Sequence, residues 1–132
     1  MTEKKLKLIS WNINSIRIRL EQLKKIVTEL NPDIICLQET KCTENEVILP
    51  SEIEIRYPYR FWNSTDGTSQ RKGLSGTTIW CKSPPIRRLD TPDFDVEGRI
   101  VAVEFEKFIL VNVYVQNSQK VDSDRFKFRQ QW

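Results

Sequence analysis

The chain has 132 residues, 39% of them hydrophobic and 30% charged, a balance that excludes a disordered or membrane-embedded polypeptide and allows one packed core. Its net charge of +3 is too small to argue for nucleic acid unless the positive residues are focused on one face. Histidine is absent, so a mechanism that needs an imidazole cannot be completed by this polypeptide alone.

In chain order, residues 5–12 alternate in part and run into Trp11, which predicts a strand. Ile16, Leu20, Leu23, Ile26 or Val27, and Leu30 then recur at steps of three and four, with Arg17, Arg19, Glu21, Lys24 and Lys25 between them. That spacing predicts an amphipathic helix, capped by Asn14 or Ser15 and ended by Asn31-Pro32. Ile34-Ile35-Cys36-Leu37 is a continuous apolar run that predicts a strand covered on both faces, so the opening reads as a βαβ unit. Asn12 and Gln38-Glu39-Thr40 would then share the rim at the carboxyl ends of parallel strands, where ligands bind in such units.

Residues 57–62, 77–82 and 86–89 read as short strands between turn-rich pieces such as Asp66-Gly67 and Pro84-Pro85. Residues 99–105 and 108–115 alternate around Glu106-Lys107, which predicts a hairpin with a two-residue turn, although this pair is not the preferred Asn-Gly type. Residues 122–132 read as the opening of a helix. Cys36, Cys42 and Cys81 are an odd number at spacings that suit neither zinc nor a disulfide framework, so reduced thiols are expected, Cys36 as a core residue. No apolar run approaches the roughly 18 residues of a spanning helix, and the start carries no apolar signal region. The expectation is an intracellular protein without a membrane partner.

Several residues could carry chemistry, each with a plainer alternative. Glu39, directly after a buried strand, could hold magnesium, which takes only one or two protein carboxylates, or could be a solvated loop charge. Asn12 and Asn14 could orient a metal, water or phosphate, or could serve in a helix cap or Asx-turn. Tyr114, and Asn117 just beyond it, could donate to a phosphate oxygen, though a strand tyrosine is more often a packing residue. Arg17, Lys41, Arg125 and Arg129 are ordinary surface charges taken singly and a phosphate-backbone grip taken together.

Two segments, Ser10-Trp11-Asn12-Ile13-Asn14-Ser15-Ile16-Arg17 and Leu37-Gln38-Glu39-Thr40-Lys41-Cys42, resemble the opening motifs of the exonuclease III type abasic-site endonucleases, in order and spacing. Gly73-Leu74-Ser75-Gly76, Glu97-Gly98-Arg99-Ile100-Val101, Val111-Asn112-Val113-Tyr114-Val115-Gln116-Asn117 and Arg129-Gln130-Gln131-Trp132 are similar to the family's next landmarks, so the resemblance covers essentially the whole chain. It implies an α/β fold: half of a four-layer sandwich of the endonuclease/exonuclease/phosphatase (DNase I-like) type, with residues 1–132 as the N-terminal half and supplying one mixed sheet flanked by helices. It further implies Glu39 as ligand to magnesium, or manganese in its place, with Asn12 beside the metal. Tyr114 would contact the scissile phosphate, and Asn14, Arg17, Lys41, Asn117 and Arg125 would contact DNA or phosphate. The implied reaction is hydrolysis of DNA on the 5′ side of an abasic site in base-excision repair, with 3′-phosphodiesterase or 3′ to 5′ exonuclease activity alongside.

Ser15 stands where the family usually has glycine, Leu74 where an aromatic is common, and Gln116 where proline precedes the asparagine. The Asp-x-Asn motif and the late Asp-His pair of the family's second half do not occur. The sequence therefore predicts a truncated or split enzyme, close to inactive alone, whose sheet has an apolar inner face in need of a cover. A separately encoded C-terminal half or self-association would supply it. The alternative is a non-catalytic remnant that binds DNA or a protein through that exposed sheet.

Overall fold

A computed structural model of the chain describes residues 5–64, 75–93, 95 and 97–115. Strand β1 (Leu8–Asn12) leads toward helix α1 (Leu20–Leu30), and β2 (Ile34–Gln38) returns parallel to β1 with Asn12 opposite Gln38. The βαβ reading holds. Beyond β2 come a 3-10 turn at Glu44–Glu46, a short helix α2 (Ser51–Arg56), β3 (Tyr59–Asn63) and β4 (Thr77–Cys81). These strands form a four-stranded sheet in the order β1-β2-β4-β3, mixed because β2 is parallel to β1 and antiparallel to β4.

The predicted helix start is corrected. Asn14 and Ser15 are left-handed, with φ of 49° and 86°, and the amides of Ser15 and Ile16 donate to the carbonyls of Glu39 and Thr40. Pinned across to that loop, the chain turns before it coils, and α1 starts at Leu20 with Arg19 preceding it and no side-chain cap. Its end is as expected: Asn31 is left-handed at φ 45°, its N–H donates to the Val27 carbonyl at 2.9 Å, and Pro32 follows.

Strands β5 (Arg87–Arg88), β6 (Ile100–Glu104) and β7 (Ile109–Val113) form a second, three-stranded antiparallel sheet in that order. The β6–β7 hairpin turns at Glu106-Lys107, closed by the Phe105 N–H donating to the Phe108 carbonyl at 2.8 Å. Stacked rings of Phe105 and Phe108, 4.8 Å apart, brace a turn whose residues are poor turn formers.

Two cores result. Leu23 and Val27 of α1 and Ile53 of α2 pack on Ile35, Leu37 and Trp80 of the mixed sheet. On its other face, Ile34, Cys36, Ile79 and Cys81 meet Val101 and Val103 of β6. This explains why every residue of Ile34-Ile35-Cys36-Leu37 is buried. The expectation that the chain supplies a single sheet with a bare inner face is therefore corrected: the mixed sheet with its helices is present, and the hairpin folds back as a second layer over it. The cover stops short of β1, where Leu8, Ser10 and Asn12 stay exposed. The three cysteines are buried free thiols. No helix among the described residues is long and apolar enough to cross a membrane.

Candidate active site

The rim is built on the loop that leaves β2. Glu39 and Lys41 are left-handed, with φ of 54° and 55°, and between them Thr40 is fully buried. Ile13, Ser15 and Ile16 donate their N–H groups to the carbonyls of Gln38, Glu39 and Thr40 from one side. From the other side the carbonyls of Gly76 and Ser75 accept from Thr40 and Lys41 at 3.2 and 2.8 Å. Gly76, at φ 91°, runs so close that a Cβ there would overlap the Thr40 hydroxyl. With its backbone clamped on both sides, the loop holds Glu39 in a conformation costing on the order of 1–3 kcal/mol.

The Tyr114 hydroxyl donates to Glu39 Oε1 across 75 residues of chain, from the end of β7 in one sheet to the end of β2 in the other. Burial pushes the Tyr114 phenol above its ordinary value and the Glu39 carboxylate pushes it further, while the Arg99 guanidinium opposes both. Asn112, two residues earlier and on the same face of β7, sets the register of the two sheets. Its buried amide donates to the carbonyls of Leu37 and Thr78 at 3.0 and 2.9 Å and accepts from Gln38 Nε2 at 2.7 Å. Gln38 also reaches Ser10 on β1 at 3.0 Å. A groove of about 340 Å³ opens along this line between β1 and β7, with Leu8, Ser10, Gln38 and Asn112 in its wall.

Of the residues singled out from the sequence, Glu39 and Tyr114 are in direct contact. Asn12 ends β1 opposite Gln38, the residue before Glu39, and is solvent-exposed on the same rim. Asn14 Oδ1 accepts from Lys41 Nζ at 2.6 Å, and Arg17 donates to the Lys41 carbonyl at 3.2 Å while lying 3.9 Å from Glu46. These three form an exposed, partly basic flank beside the pair, and neither Asn14 nor Ser15 caps α1. Asn117, Arg125, Arg129 and the 122–132 segment lie outside the described residues. Sequence reading missed Gln38 and Asn112 as holders of the site; the available signal was an asparagine at an inward position of the apolar strand Val111-Asn112-Val113.

No cluster of three or more metal-ligating side chains is present among the described residues. A divalent ion that needs only one or two protein carboxylates would nevertheless suit Glu39 with the exposed amide of Asn12 at the neighbouring strand end.

A mixed and an antiparallel sheet packed face to face, helices outside the mixed one, and a carboxylate–phenol pair at the strand ends define an α/β sandwich of the DNase I-like class. The chain belongs to the endonuclease/exonuclease/phosphatase family, whose model matches residues 9–130. It is 34% identical to the DNA repair nuclease APEX1 of Danio rerio over 96% of its own length and 41% of the relative's. It is also 34% identical to an exodeoxyribonuclease of Bacillus subtilis (strain 168), over 96% of itself and 49% of the relative. Among solved structures it superposes on the 3′ phosphatase NExo from Neisseria bound to product DNA hairpin, with a TM-score of 0.79 and 28% identity, over 97% of this chain and 48% of that one. The chain thus spans about half the length of these relatives.

Proposed function

We propose that this chain carries the glutamate–tyrosine half of a magnesium-dependent DNA phosphodiesterase centre that acts at abasic sites in base-excision repair. On this reading residues 1–132 are the N-terminal half of the domain and are nearly inactive without the residues of its second half. The observation that carries the reading is the Tyr114–Glu39 hydrogen bond, which joins the ends of two sheets at the one rim where the family motifs converge. The names of the relatives favour a DNA nuclease of repair, and the chain matches about half of their length.

In this proposal Glu39 and Asn12 would hold the ion, which when bound neutralises charge on the phosphate oxygens. Tyr114 keeps its proton through neutral pH, because burial and Glu39 both raise its phenol, and so acts as a hydrogen-bond donor to the oxygen where charge develops. Asn14, Lys41 and Arg17 would hold the DNA backbone beside it, with Asn117 and Arg125 added on sequence grounds. Water is the nucleophile, and this chain brings no histidine to position it. The groove between β1 and β7 is where that second half would enter, since among the described residues nothing covers the inner face of β1 there.

The test is complementation. The chain is mixed with a polypeptide bearing an Asp-x-Asn segment and an Asp-His pair, and magnesium-dependent nicking of abasic DNA is followed. Nicking is expected from the mixture, little from either component, and a loss of roughly 10²-fold or more on Glu39→Ala. A folded, associated mixture that does not nick refutes the reading. DNA binding indifferent to Glu39→Ala, with no nicking, would instead establish a non-catalytic remnant.

A further inference from the structure

A buried ion pair lies directly behind the tyrosine. Arg99 precedes β6 and Tyr114 follows β7, and since Ile100 pairs with Val113 the two are cross-strand neighbours, with the Tyr114 N–H donating to the Arg99 carbonyl at 2.8 Å. The Arg99 side chain, 2% exposed, lies over its neighbour with Cζ 4.6 Å from the Tyr114 ring centroid, and Nη1 approaches the Tyr114 carbonyl at 3.5 Å. Glu97, 4% exposed, holds the guanidinium in place, its Oε1 accepting from Nε and Nη2 at 3.0 Å each.

The surrounding loop is built to keep this pair fixed. Asp95 accepts the N–H groups of Arg99 and Ile100 at 2.7 Å each, and the Ser75 hydroxyl donates to the Glu97 carbonyl. Gly98, at φ 70°, lets the backbone lie against that of Ser64 where a Cβ would overlap it. Taking both charges out of water costs several kcal/mol per ion, and a well-packed apolar pair would serve stability as well or better. An interior placed at such cost beside one aromatic ring calls for a role at that ring.

We infer that Arg99 is a positioning residue for Tyr114: its buried guanidinium, held by Glu97, fixes the ring from behind and keeps the hydroxyl aimed at Glu39. The catalytic meaning of this rests on the phosphodiesterase reading, but the positioning itself does not.

Fluorine NMR at fixed neutral pH, on the chain with its tyrosines replaced by 3-fluorotyrosine, tests the inference through the surroundings of the ring, with Tyr114→Phe assigning the signal. The Tyr114 resonance is expected to stand apart from the free-tyrosine position, to stay nearly in place in Arg99→Lys, which keeps a cation behind the ring, and to move toward the free-tyrosine position in Arg99→Gln as the ring loses its support. Should R99Q not fold, the double variant Glu97→Gln/Arg99→Gln, two neutral amides of similar shape, reads the same quantity. A folded variant of either kind, R99Q or the double variant, whose Tyr114 resonance is unmoved overturns the inference. Because the spectrum needs neither metal nor DNA, that result leaves the nuclease reading intact, whereas failure of complementation leaves the spectral result intact.

Discussion

Tyr114 receives opposing influences, and their balance decides what it can do. Burial and the Glu39 carboxylate raise the phenol, and Arg99 lowers it, with burial the largest of the three, so the hydroxyl stays protonated across the neutral range. On the phosphodiesterase reading its use is donation. In the complemented enzyme Tyr114→Phe should therefore lower kcat by roughly 10²–10³-fold, the usual loss for one donor to a charge-developing oxygen, and leave KM little changed. Steady-state kinetics on abasic DNA checks this. A rise in KM at unchanged kcat would show that the hydroxyl only holds substrate. Ser15 makes a different residue-scale case. At φ 86° it occupies a conformation suited to glycine at a cost of order 1–3 kcal/mol, against the roughly 0.5–1 kcal/mol of extra chain entropy that glycine loses on folding. Ser15→Gly should stabilise the chain by about 1 kcal/mol, read as a higher urea midpoint at unchanged slope.

Elements matter here mainly through the loops and pairs that fix their ends. Gly76 holds the loop after β2 by close approach to Thr40, so Gly76→Ala meets both an unfavourable φ of 91° and the Thr40 hydroxyl. A loss of about 2–4 kcal/mol is expected in urea unfolding. Asn112→Leu keeps the branched shape but removes three hydrogen bonds between the sheets and leaves Gln38 without that acceptor. A cost of roughly 1–3 kcal/mol follows, read in the same experiment. Strands β1 and β2 were legible because their apolar runs and the intervening period have the length of a βαβ unit, and Asn12 and Glu39 could be placed on one rim for that reason. The contact of Tyr114 with Glu39 was only implied by resemblance, since no local pattern reports a pairing 75 residues apart. The start of α1 was misread because the pinning of Ser15 and Ile16 is tertiary, and α2 was missed because Glu52-Ile53-Glu54-Ile55 alternates like a strand. In β7 the apolar residues Ile109, Val111 and Val113 face outward and Leu110 and Asn112 face inward, so alternation located the strand without revealing which side meets the mixed sheet.

At the scale of the whole molecule, the sandwich between the two sheets is what the chain must keep dry, and its cysteines report on it. Cys36 and Cys81 lie in the same inter-sheet core, where burial pushes each thiol from 9.0 to about 12, with mutual repulsion adding to the shift of Cys36. An unfolded chain releases these protons near pH 9, and the folded chain holds them until about 12. The folded state therefore binds more protons across that window: the stabilising contribution is complete below pH 9 and is lost as the pH rises toward 12. Tyr57, raised by burial from 10.0 to about 12 with its hydroxyl on the Pro32 carbonyl, acts in the same direction over the upper part of the range. Urea midpoints under reducing conditions should thus be flat through neutral pH and fall steeply above about pH 9, and the thiols should resist alkylation until the chain unfolds. Replacing both inter-sheet cysteines by valine should make the lower part of that fall shallower and leave what is due to Cys42, Tyr57 and Tyr114, which burial also raises. An equally steep fall starting at pH 9 in the valine variant would mean that the space between the sheets is already open to water, and that the β5–β7 layer does not cover the mixed sheet in solution.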